Sequence, residues 1–450
     1  MGEMTERLLR ADLSLWPQGS VANNRLGWLR LPNTTEAELR DLFAMANTID
    51  QHSVIYVGMG GSSLGAMTMA QMKKRSGPQN GRNVIFVDST HPNFIASLPT
   101  TDTAVVLASK SGTTTEVDTI FDFFWARMKD PSRFLVITDK DSPLEKKADE
   151  RGVRRIVTTP SDVGGRYSVL TGFGTVALAL LSVSMEDMAA PFTGARGADL
   201  DHAEEVALNI FNQISQGRDR LSIYSPKDLD KVPMWLEQLI AESLGKQNKG
   251  IVPLPFDDNK EALDRVSGYI EAETLHELGA KFFEWEVITA LLGSLLQIDP
   301  FNEPDVAAAK AATKSILESG QFLDEPGVDI SQIDRSLEAI LTERDYVALG
   351  GFLNPDRYEE GLTVRDQLEN KFTPHAVTYG LGPRFLHSTG QLHKGGPNTV
   401  VMAQVVESTK YEHVPIPDRN YGFAELFRAQ ADGDLQTLRS RGRRALRFKS

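Results

Sequence analysis

The chain has no cysteine among its 450 residues. Disulfides, thiolate nucleophiles, cysteine-ligated zinc and iron–sulfur clusters are therefore excluded. Positive charge is in short supply. Against 48 Lys and Arg stand 61 Asp and Glu, giving a formal charge of −13. That balance argues against non-specific nucleic-acid or acidic-membrane binding as the main task. Glycine and proline, at 36 and 22 residues, are too few for a collagen-like or disordered chain. Long apolar runs are scarce. The longest uncharged stretch, Tyr167 to Met185, carries Ser168, Thr171, Gly172, Gly174, Thr175, Ser182 and Ser184. It predicts a buried helix of a soluble domain, not a membrane span. Residues 1–30 include Glu3, Glu6, Arg7, Arg10 and Asp12 and no apolar stretch, so no secretory signal is expected. The expected setting is the cytoplasm, with no membrane and no nucleic-acid partner.

What is present is an alternation of short apolar runs with helical segments. Val54–Val57, Val84–Val87, Ala104–Ala108, Phe134–Ile137 and Arg155–Val157 read as strands. Runs of this kind, separated by helices, indicate a parallel sheet covered on both faces. The expected fold is α/β, with two doubly wound, flavodoxin-like, parallel-sheet domains behind an N-terminal helical arm. The expected divisions are an arm over 1–50, a first domain over 51–195 and a second over 196–450. Thr34 or Thr35 is the expected cap of a helix in the arm. The second region has strand candidates at Leu221–Tyr224, His375–Tyr379 and Thr399–Val406, and long helices at about 281–297 and 304–318. The tail from Arg439 to Lys449 holds six basic residues in eleven. It reads as a terminal element packed on the body.

Two loops carry chemistry. Gly58-Met59-Gly60-Gly61-Ser62-Ser63-Leu64-Gly65 lies between a strand and a helix. Its glycines permit close backbone approach, and the helix start offers free N–H groups to an anion. A dinucleotide site is the rival, with Asp88 at the end of the second strand as its acid. However, Ser63 stands where that fingerprint needs a third glycine. Ser109-Lys110-Ser111-Gly112-Thr113-Thr114-Thr115-Glu116 follows the third strand and brings five hydroxyls and a lysine. That is more than helix capping requires, and it makes a cradle for an anion.

Together these loops resemble the sugar isomerase (SIS) domain, in which serines and threonines bind the phosphate of a phosphosugar. Gly164-Gly165-Arg166-Tyr167-Ser168 and Glu242-Ser243-Leu244-Gly245-Lys246 are similar to signatures of phosphoglucose isomerases. The stretch Leu386-His387-Ser388-Thr389-Gly390-Gln391-Leu392-His393-Lys394-Gly395-Gly396-Pro397-Asn398 resembles the isomerase half of bifunctional transaldolase/phosphoglucose isomerase proteins. Leu26-Gly27-Trp28-Leu29 and Ile298-Asp299-Pro300-Phe301-Asn302-Glu303-Pro304 support the likeness, which runs from about residue 12 to the C-terminus.

The resemblance implies two SIS-type domains. It also implies interconversion of glucose 6-phosphate and fructose 6-phosphate through ring opening and a cis-enediolate. Glu242 would be the base that moves a proton between C2 and C1. Arg166 would stabilise the enediolate, and His387 and Lys310 would open the ring. Gly61, Ser62, Ser109, Lys110, Ser111, Thr114 and Gly165 would form the phosphate and substrate site. His393 would be structural. No metal and no cofactor would be required. In this family the histidine often comes from the neighbouring subunit, which implies a homodimer.

Three departures stand out. The order here is Glu242, Lys310, His387, whereas many members have the histidine before the lysine. Glu303 stands where many have a glutamine near the substrate. The segment between Pro255 and Lys281 is short, so part of the second domain is expected to be trimmed. An isomerase of mannose 6-phosphate or a sulfonated hexose, or a non-catalytic phosphosugar-binding regulator, is the alternative.

Overall fold

The computed structural model describes residues 2–257 and 264–450. The first sheet consists of β1 (Ser53–Gly58), β2 (Asn83–Val87), β3 (Thr103–Ala108), β4 (Phe134–Asp139) and β5 (Arg155–Thr159). All pairings are parallel, in the order β2-β1-β3-β4-β5. This is the flavodoxin-like order, in which the winding reverses between β1 and β3. Successive residues of β1 point to opposite faces. Val54 and Tyr56 enter one core with the helices Leu64–Ser76 and Gly172–Leu181, and Ile55 and Val57 enter the other with Thr115–Met128. Both faces are thus apolar, which is why these strands read as unbroken hydrophobic runs.

The Tyr167–Met185 stretch supplies the helix Gly172–Leu181, every residue of which is buried. Among the described residues, no helix is long and apolar enough to cross a membrane.

The chain beyond residue 196 builds two further sheets. The smaller joins β6 (Arg220–Tyr224), β7 (Val252–Pro255) and β8 (Arg265–Tyr269) in the parallel order β7-β6-β8. Its Leu221, Ile223 and Val266 share a core with the first domain. Residues 258–263, inside the segment whose shortness the sequence singled out, lie outside the described residues. The larger sheet contains β9 (Val328–Asp329), β10 (Tyr346–Phe352), β11 (Val377–Leu381), β12 (Val400–Val406) and β13 (Arg444–Lys449). Its order is β11-β10-β12-β13-β9, again all parallel and again reversing next to its first long strand.

The basic tail forms β13. Arg444 pairs with Asp345 at 2.5 Å and Arg447 with Asp432 at 2.7 Å, so two of its charges are neutralised inside the fold. In the arm, Thr35 and not Thr34 caps the helix Glu36–Asn47, through a capping box with Glu38. Trp16 donates to the Ala290 carbonyl at 3.0 Å. Trp28 stacks on Tyr167 with ring centroids 5.1 Å apart. The arm therefore buttresses the loop that carries Arg166.

Candidate active site

The two chemistry-bearing loops leave the carboxyl ends of β1 and β3, on either side of the point where the first sheet reverses. That crevice is where open α/β sheets bind ligands. Gly60 takes φ +52, and a Cβ on it would run into the carbonyl of His387. A Cβ on Gly61 would overlap the Gly165 carbonyl. The glycines are needed because three chain segments meet there with no room for a side chain.

On one side of this junction lie Glu242 and Arg166. Glu242 sits near the end of the helix Lys231–Leu244 and is almost buried. Arg166 Nη1 lies 3.0 Å from Glu242 Oε1. The guanidinium also donates to Asn302 O at 2.9 Å and to Pro300 O at 3.3 Å. Burial disfavours its charge, but Glu242 and then Glu303 outweigh that and raise its pKa. Glu303 faces Arg166. Its Oε2 is 3.3–3.4 Å from both terminal nitrogens of Arg166. Lys246 donates to the carbonyls of Asp299 and Asn302, fixing the loop that holds Arg166. Burial, helped by the charge of Arg166, holds its pKa well below the ordinary lysine range.

On the other side lie His387 and Lys310. His387 Nε2 is 2.8 Å from Glu116 Oε1, in the first turn of the helix that follows the hydroxyl loop. Burial pushes the Glu116 carboxyl up. The His387 charge and hydrogen bond, a backbone hydrogen bond and the Lys310 charge together hold it below its ordinary value. Gln430 donates to the same Glu116 oxygen at 2.6 Å and accepts from Thr90 at 2.6 Å. His387, Lys310, Glu116, Gly112 and Thr113 line one open cleft of about 800 Å³.

Gln238 joins the halves. Its amide donates to Glu242 Oε2 and to His387 O, each at 3.0 Å. Gln238 and Glu116 were not singled out as site residues from the sequence. Gln238 lies one helical turn before Glu242, on the same face, and Glu116 closes the hydroxyl motif, so both had a positional signal.

The hydroxyl loop is prearranged. Ser109 donates to Thr114 at 2.8 Å, and Ser111 and Thr113 lie 2.9 Å apart. Ser62 is buried in the turn beyond Gly61. Lys110 departs from expectation. Its ammonium is taken by Asp139 Oδ1 at 2.6 Å and Pro160 O at 2.7 Å, and burial lowers its pKa. It holds the loop in place, so what it can offer an anion is its backbone N–H. Asp88, the acid of the dinucleotide rival, is instead locked in a two-pronged pair with Arg384. His393 is buried, and burial, then Lys394 and Arg443, push it down to about 3. It is neutral and structural.

A parallel α/β sheet carries hydroxyl-rich loops at its reversal point, with a buried carboxylate and guanidinium and a partly buried imidazole beside them. The phosphoglucose isomerase family model matches residues 45–250. A glucose-6-phosphate isomerase of Fusobacterium nucleatum is 28% identical over 418 residues, covering 75% of this chain and 91% of the relative. One from Exiguobacterium sibiricum is 34% identical over 269 residues, covering 52% of this chain and 58% of the relative. The crystal structure of a Chlamydia trachomatis glucose-6-phosphate isomerase superposes with a TM-score of 0.54 at 17% identity, over 74% of this chain and 81% of that one. It shares the fold.

Proposed function

We propose that the chain interconverts glucose 6-phosphate and fructose 6-phosphate. The observation that carries this reading is the pairing of Glu242 with Arg166 on one side of the glycine junction and of His387 with Glu116 on the other. Aldose–ketose isomerisation needs both halves: a base with an adjacent cation, and a proton carrier for the ring oxygen.

Ser62, Ser109, Ser111 and Thr114, with the N–H groups of Lys110 and its neighbours, bind the phosphate. Neutral donors suit an anion in a chain of net charge −13. His387, held by Glu116, and Lys310 move a proton from the anomeric hydroxyl to the ring oxygen, and the C1–ring oxygen bond breaks. Glu242 then removes the C2 proton from the open aldose. The electron pair left at C2 forms the C1–C2 double bond of the enediolate, and its oxyanion faces Arg166. The O2 hydroxyl proton passes to the neighbouring O1, Glu242 returns the carbon-bound proton to C1, and the C2 carbonyl forms. Gln238 fixes Glu242 throughout, so the same oxygen serves both carbons. We take the working location to be the cytoplasm and the assembly to be a homodimer.

The test is a coupled assay of fructose 6-phosphate conversion to glucose 6-phosphate, with mannose 6-phosphate and a sulfonated hexose as competitors. Turnover with fructose 6-phosphate as the preferred ketose supports the reading. Thermal stabilisation by phosphosugars without any turnover contradicts it.

A further inference from the structure

The larger second sheet has a reversal point of its own, between β10 and β12. Open α/β sheets take ligands outside the carboxyl ends of their strands at such a point. A cleft of about 490 Å³ lies there. Phe352, Val406 and Lys449, the last residues of β10, β12 and β13, all line it. Tyr411, Phe427 and Arg447 line it as well. This is not the cleft that holds His387. The helix Phe423–Ser440 stands between the two. Leu426 and Gln430 line the His387 cleft, whereas Phe427 and Ala431 line this one.

The wall combines an aromatic surface with an unused donor. Phe427 meets Tyr411 edge-on with ring centroids 5.9 Å apart, and Phe352 at 5.7 Å. The Arg447 side chain is only 4% exposed. Its Nε donates to Gln404 at 2.8 Å, and its Nη1 to Asp432 at 2.7 Å and Glu325 O at 3.3 Å. Its Nη2 has no hydrogen-bond partner among the described residues. A buried guanidinium nitrogen in that position calls for an acceptor. The acids of the cleft are otherwise engaged. The second oxygen of Asp432 accepts from Leu323 N at 2.9 Å. Arg439 holds both oxygens of Glu325, at 2.6 and 2.9 Å. Glu407 is held by His91 at 2.8 Å and by Arg357 at 3.1 Å. Asp324 is exposed, where water and salt screen it. Lys449 adds an exposed ammonium at the same cleft.

We propose that this cleft is a second small-molecule site, which takes a compact ring compound bearing one phosphate or carboxylate. The anion meets Arg447 and Lys449, and the ring lies against Phe352, Tyr411 and Phe427. A cleft of this volume, apolar with a few convergent polar groups, suits a ligand of that size. The site is separate from the hydroxyl loops, and it stands whether or not the chain is an isomerase.

The probe is phenyl phosphate, titrated calorimetrically into the full chain, with benzoate and phenol beside it. Ser111→Asp puts a negative charge in the hydroxyl loop at an exposed position and removes anion binding there. Ser408→Glu with Lys449→Glu does the same at the second cleft, again at exposed positions. Circular dichroism confirms that each variant is folded. The Ser111→Asp chain is expected to bind phenyl phosphate saturably. Adding the Ser408→Glu and Lys449→Glu changes is expected to weaken that binding about ten-fold or more, a difference of about 1.4 kcal/mol. Phenol is expected to bind far more weakly than either anion. Either order between phenyl phosphate and benzoate supports the proposal and tells which anion the cleft prefers. Three results overturn it: no saturable binding once Ser111→Asp is in place, binding that the Ser408→Glu and Lys449→Glu changes leave intact, or phenol bound as tightly as phenyl phosphate.

Discussion

Arg166 stands between two carboxylates, with Nη1 3.0 Å from Glu242 Oε1 and Nη2 3.3 Å from Glu303 Oε2. The two contacts differ in character. Glu242 keeps 11% of its side-chain exposure, whereas Glu303 keeps 50%. On the function proposed above, the inner acid is the base, and the outer one is a solvated counter-charge to Arg166.

Glu303→Gln keeps the hydrogen bond to Arg166 and removes the charge. A half-exposed ion contributes about 0.2–1 kcal/mol, so KM for fructose 6-phosphate is expected to fall about 1.4- to 5-fold, with kcat nearly unchanged. Steady-state kinetics at low ionic strength measure this. An unchanged or higher KM contradicts the assignment of Glu303 as a repulsive counter-charge.

Gly61→Ala tests the junction. The added methyl would meet the Gly165 carbonyl carbon at 2.5 Å and the Arg166 nitrogen at 2.9 Å, both backbone atoms that cannot rotate away. Overpacking of this kind costs about 1–3 kcal/mol. The expected outcome is a lower melting temperature together with a loss of kcat, because Arg166 is displaced with its loop. A variant with wild-type kcat would show that the junction does not position Arg166.

Stability should fall as pH rises from acid towards the alkaline range, in part through Glu237. Burial, opposed by Arg384, pushes this carboxyl from 4.5 up to about 8. A pKa raised in the folded state means that the folded protein holds the proton more tightly than the unfolded chain. The contribution is fully present below the unfolded value, is lost as pH rises towards about 8, and is absent above it. Glu237→Gln is therefore expected to flatten the decline in urea midpoint between pH 5 and pH 9. Parallel curves for variant and wild type would contradict the assignment.

The first sheet was legible in the sequence because its central strands β1, β3 and β4 are buried on both faces and all its strands alternate with helices. The later sheets were less so. β10 carries Gly350 and Gly351, packed against Phe385 and Tyr379, and strand interiors with glycine give a weak signal. β13 reads in the sequence as a basic terminal element packed on the body, and its being a strand rests on β12 alongside and on Asp345 and Asp432 paired with its arginines. In the site, the spacing of the hydroxyl loop marked an anion cradle. It could not reveal that Lys110 turns back to Asp139, because that depends on β4 and β5 lying alongside. Nor could it link Glu116 to His387, 271 residues away. Such pairings are set by how the two large sheets face each other.

The central claim is that Glu242 transfers the proton between C2 and C1. Glu242→Gln is the most direct test, because the amide fits the same space and its oxygen can still accept from Arg166. In the coupled fructose 6-phosphate assay, the account predicts that kcat falls by about 10²–10⁴-fold or more while the substrate still binds. Turnover by the variant within a few-fold of wild type would contradict it.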